Sequence, residues 1–123
     1  MFKLLASGVI ATFSSLFIIA PASANDTGIA SVLHTLRSEK GMVCMVGHYH
    51  FGKSPRTYNS RAKAYKAAIH HWKTFTVAEY GSDWGQYGSA ANRNSDCEKA
   101  SHTSWTCKVK ARPCRRGLSM ARR

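Results

Sequence analysis

Acidic side chains are scarce in this chain: six Asp and Glu stand against 18 Lys and Arg in 123 residues, a formal charge of +12. So few carboxylates leave little for paired-acid catalysis or for an oxygen-rich cation site. The pairs close in sequence, Glu79/Asp83 and Asp96/Glu98, fall at a helix boundary and along a strand. No two cysteines are separated by two residues, which removes the usual zinc knuckle. The patterns G-x-S-x-G, H-E-x-x-H and the phosphate loop are also missing. Hydrolases and nucleotide-cofactor enzymes built on those motifs are thereby excluded, and no cofactor is expected. There is no internal repeat and no low-complexity segment.

What is present begins with a leader. Met1-Phe2-Lys3 is a short cationic start, Leu4 to Ala20 is apolar and small, and Ala22-Ser23-Ala24 is a small-x-small site. This layout predicts a cleaved signal peptide over 1–24 and a protein exported to the periplasm or released outside the cell. No integral membrane span is expected after processing, and the oligomeric state is not indicated. The four cysteines, Cys44, Cys97, Cys107 and Cys114, all follow the leader. An even count in a small exported chain reads as two disulfides.

The remaining chain divides into an N-terminal arm (25–40), a disulfide-bonded domain (41–114) and a basic flexible tail (115–123). Met42 to Phe51 has the character of one strand. Ser60 and Gly81 are placed to cap one long helix between them. Tyr65, Ala68, Ile69, Trp72, Phe75 and Thr76 share one face of it, and Lys63, Lys66, His70 and Lys73 share another. Cys97 and Cys107 are symmetric about His102, which predicts a hairpin with these two cysteines opposite each other. The fold class is therefore α+β, a small single β-α-β-β domain with the helix packed on an antiparallel sheet. Trp72, Phe75, Ile69, Tyr49, Met45, Val109 and Trp105 are its expected interior.

Strand parity then selects the disulfides. If Val43, Met45, Tyr49 and Phe51 face the helix, Cys44, His48 and His50 face away. Cys107 shares the inner side with Trp105, whereas Cys114 shares the outer side with Lys108, Lys110 and Arg112. The pairs are Cys97–Cys107 and Cys44–Cys114. Extending the register from Cys44 opposite Cys114 sets His48 opposite Lys110 and His50 opposite Lys108. His48, His50, Lys108, Lys110 and Arg112 are then the expected ligand-binding face for anions. Their cationic neighbours should hold both histidines below the ordinary imidazole pKa.

A small, basic, exported domain with such a face is expected to be a non-catalytic binder of an anionic polymer or surface: nucleic acid, envelope polysaccharide or lipid headgroups. Two other readings use the same residues. One is a ribonuclease-like enzyme with His48 or His50 as base and a lysine stabilising the phosphorane. The other is a periplasmic metal-binding protein that chelates through His48 and His50. No catalytic or metal residue is assigned beyond these alternatives.

Overall fold

Ser60 adopts extended backbone, and its Oγ accepts from the Lys63 N–H at 3.2 Å, which starts helix α2 (Arg61–Tyr80). Gly81 ends it with φ at 102°, and its N–H donates to the Val77 carbonyl at 2.9 Å. Ala64, Ala68, Trp72, Thr76 and Tyr80 recur every four residues and form the buried stripe. The computed structural model describes residues 25–117; the expected leader and residues 118–123 lie outside the described residues.

The class is the expected α+β, with six strands in two antiparallel sheets. Strands β1 (Leu36–Glu39), β2 (Met42–Met45) and β6 (Cys114–Arg116) form the first, in the order β1-β2-β6. Strands β3 (His50–Lys53), β4 (Ala91–Ser101) and β5 (Ser104–Arg112) form the second, in the order β3-β5-β4. A short helix α1 (Ile29–Leu33) precedes β1, so the segment read as an arm carries a helix and an edge strand. Two residues read as the start of the tail belong to β6. Arg115 and Arg116 pair with Val43 and Met42, because β2 offers them an open edge.

Both disulfides form with the expected pairing, although Cys44 and Cys114, expected on the outer side, are fully buried in the first sheet. Cys44 pairs in register with Cys114 and Cys97 with Cys107, with S–S distances of 2.03 and 1.97 Å. Ser101 opposes Ser104, so His102 and Thr103 make the hairpin turn.

The single strand expected over 42–51 does not form. Gly47 takes φ at 67° and divides it into β2 and β3, which belong to different sheets. The register set by Cys44–Cys114 therefore stops at the break. His50 opposes Ala111 and Lys53 opposes Lys108, an offset of three residues from the expected pairing. An odd offset exchanges the faces of a strand. His50 and Gly52 point inward, and Phe51 and Lys53 point out.

Gly52 has a specific task at this inner face. A Cβ there would lie 2.2 Å from the Ala68 carbonyl oxygen and 2.7 Å from Trp72 Cβ. Strand and helix thus meet backbone to backbone, with Ala64 and Ala68 supplying the matching small residues on α2. Trp72 fills the space beyond, packed edge-on against Tyr87, and its indole N–H donates to the His50 carbonyl at 3.1 Å. Of the expected interior, Trp72, Met45 and Val109 are buried, and Ile69, Tyr49 and Trp105 are half-buried. Phe75 is 56% exposed, because the buried stripe runs through 72 and 76 and leaves 75 beside it. A second apolar cluster, Ala30, Met45, Tyr80 and Trp84, seats the first sheet against the end of α2.

Candidate functional site

The outward face of the second sheet follows directly from its register. Phe51 opposes Lys110, and Lys53 opposes Lys108. On the other side of β5, Asn94 opposes Lys110 and Asp96 opposes Lys108. Like charges directly across a strand pair are unfavourable, so Lys53 facing Lys108 is a local penalty that nearby anions relieve. Ion pairs among the described residues join Arg37 and Arg112 to Glu39 and Arg115 to Asp26. Lys53, Lys108 and Lys110 take part in none of them. Beside these lysines Phe51 is 65% exposed, and Lys110 Nζ lies 5.5 Å from the Tyr49 ring centre.

Of the residues expected on this face, Lys108 and Lys110 are there and exposed. Arg112 is not: it is buried at the end of β5. Its guanidinium donates to Glu39 Oε2 at 2.7 Å, to the Met45 carbonyl at 2.6 Å and to Asn92 Oδ1 at 2.7 Å. It is a structural cation, held charged by Glu39. His48 and His50 are also elsewhere. The Gly47 break and the shifted register turn them toward helix α2 and away from Lys108 and Lys110.

There the histidines enter a cluster that the one-strand reading does not contain. His34 and His48 stack with ring centres 4.0 Å apart, and His48 meets His50 edge-on at 5.0 Å. The Tyr80 hydroxyl lies 2.8 Å from His34 Nε2 and 3.3 Å from His48 Nε2. The Thr76 hydroxyl donates to the Trp72 carbonyl at 2.7 Å, so it accepts from His50 Nδ1–H at 2.9 Å. That fixes the tautomer: in neutral His50 the lone pair is on Nε2, 3.4 Å from Glu79 Oε2.

Burial pushes the His50 imidazole down to about 4, against the opposing pull of the Glu79 carboxylate. Burial, followed by the charge of His34, also lowers His48. The expected direction is right for both, but the cause is desolvation under α2 and not lysine neighbours. Burial, then the adjacent Glu79, raises the Tyr80 phenol.

A ring as enclosed as His50, with its edge turned to Glu79, is poorly placed to take a proton from a surface-bound sugar hydroxyl. Among the described residues no three His, Cys, Asp or Glu side chains are arranged as a metal-binding set. No described helix is long and apolar enough to cross a membrane.

The residues that sequence reasoning missed are Phe51 and Lys53 on the sheet, and His34, Tyr80 and Glu79 around the histidines. The signal for the first two was Gly47. A glycine inside an apolar run marks a possible change of strand direction, and with it a change of parity. Compared with known proteins, the chain matches no family model, no curated protein and no solved structure.

Proposed function

We propose that this is an exported basic protein that binds anionic polymers through the outward face of its second sheet, using Lys53, Lys108 and Lys110. Two disulfides in a small domain suit the oxidising space outside the cytoplasm. The observation that carries the reading is the facing pair Lys53 and Lys108, with neither lysine in an ion pair. Polyphosphate and polysulfate chains release counterions when they meet such lysines, so binding weakens steeply as salt rises. The +12 charge of the chain supplies long-range attraction in the same sense.

Heparin and single-stranded DNA affinities measured across a salt series test this. Replacing Lys108 and Lys110 by Ala lowers affinity and reduces the log–log salt slope by about two, because two phosphate contacts are lost. Truncation after Gly117 removes Arg122 and Arg123 and leaves β6 intact. If truncation abolishes binding while the double lysine change leaves it intact, the sheet face is not the site.

A further inference from the structure

A cavity of about 520 Å³ opens between β3 and α2, next to the lysine face. Its size lies in the range of sites for small organic groups, roughly 300–1,000 Å³. Two of its walls are phenyl rings held out of the core, Phe51 from β3 at 65% exposure and Phe75 from α2 at 56%. His71, Phe75 and Glu79 follow one another at four-residue spacing, so one edge of α2 lines the cavity from end to end. Large rings left in water on both sides of one opening are unfavourable until something flat and apolar lies between them.

The polar groups decide what that is. Glu79 lines the cavity beside His50, and its carboxylate repels a phosphate or sulfate. His71 Nδ1 accepts from the Lys53 backbone N–H at 3.1 Å, which leaves Nε2–H as a donor at the rim. Outside the rim, Phe51 opposes Lys110 and is followed by Lys53. The cavity therefore suits an uncharged aromatic ring with hydrogen-bonding edges, while the lysines suit the anion attached to it. A sulfated or uronic polysaccharide has no such ring. A duplex keeps its bases in the stack, whereas a single strand can turn one out.

We infer that the anionic polymer is single-stranded nucleic acid, and that one unpaired base enters between Phe51 and Phe75 while its flanking phosphates lie on Lys53, Lys108 and Lys110. The inference rests on the polyanion reading of the adjoining face and adds the ring that the face alone does not select. Stacking of one base on aromatic side chains accounts for about tenfold in affinity, and often more.

The test is fluorescence anisotropy of the protein with four labelled probes, the first two matched in charge: a 12-nucleotide single strand, the same length of fully abasic strand, the duplex, and heparin. The single strand binds at least about tenfold more tightly than the abasic strand, and Phe51→Ala or Phe75→Ala removes most of that difference. Neither change moves heparin affinity by more than about twofold, because attraction of its sulfates to the lysines does not use the rings. Phe51→Tyr and Phe75→Tyr restore single-strand binding, which separates a stacking role from a change in folding. Equal affinity for the single strand and the abasic strand overturns the base pocket and leaves the lysine face standing. If none of the four probes binds at low salt, both readings fall together.

Discussion

Arg112 Nη2 lies 2.7 Å from Glu39 Oε2, and through that contact a side chain of β5 in the second sheet is anchored to β1 in the first. The same guanidinium also holds the Met45 carbonyl at the end of β2. In sequence Arg112 is the last of an alternating cationic series. In the structure it is the polar joint between two sheets.

Replacing Arg112 by Ala takes the guanidinium from the Met45 carbonyl and leaves Glu39 with Arg37 alone. A loss of about 1–3 kcal/mol of folding stability is expected, measured by urea unfolding, because charged hydrogen bonds to half-buried and buried acceptors are lost. Lys108→Ala, on the exposed face, shifts stability by about 0.5 kcal/mol or less. Equal effects from the two changes would show that Arg112 is an ordinary surface cation.

Stability also depends on pH through His50. An unfolded imidazole titrates near 6.5 and the folded one at about 4, so between those values the unfolded chain holds a proton that the folded chain lacks. The contribution is complete above pH 6.5 and declines as pH falls toward 4, by roughly 2 kcal/mol at pH 5. His48 acts in the same direction. Glu39 adds a separate window. Its carboxyl, held at about 2 by Arg112 and then Arg37, contributes stability above 4.5 that is lost as pH falls toward 2. Urea midpoints at pH 7.5 and pH 5 isolate the histidines, and His50→Asn narrows the difference between them. A midpoint that rises on acidification refutes the assignment.

Trp72 and Phe75 are three residues apart on one helix and predict opposite outcomes. Trp72→Ala removes a fully buried ring and costs about 3–5 kcal/mol. Phe75→Ala, at the cavity rim, changes stability by about 0.5 kcal/mol or less. Gly52→Ala, across from Trp72, pushes β3 off the helix and costs about 1–3 kcal/mol. Thermal and urea unfolding of the three variants give the order directly. A destabilising Phe75→Ala would mean that this ring supports the core.

Local features were legible in the chain. Helix α2 begins after Ser60 and ends before Gly81, because capping chemistry is written in adjacent residues. The hairpin and the Cys97–Cys107 bridge followed from symmetry about His102, ten residues of local chain, and with four cysteines that left Cys44 to Cys114. The candidate face was only half legible. Lys108 and Lys110 lie on β5, where alternation runs unbroken, and they point outward as expected. His48 and His50 lie beyond Gly47, and one glycine with a left-handed φ was enough to exchange the two faces of β3. The stripe on α2 was displaced for a similar reason. Ala64, Ala68 and Thr76 are small or polar, and they face inward because Gly52 and the buried histidine need the helix close, which no apolar count reveals.

The Cys44–Cys114 bridge joins positions 70 residues apart, and between them lie β3, the whole of α2, β4 and β5. Every surface loop of the second sheet is therefore inside a covalent ring. A protease that cuts once anywhere in the ring opens it without releasing a piece, so the lysine strand and the helix edge stay tethered to each other. Under proteolytic attack, a molecule with this ring remains one chain-linked particle after its first cut.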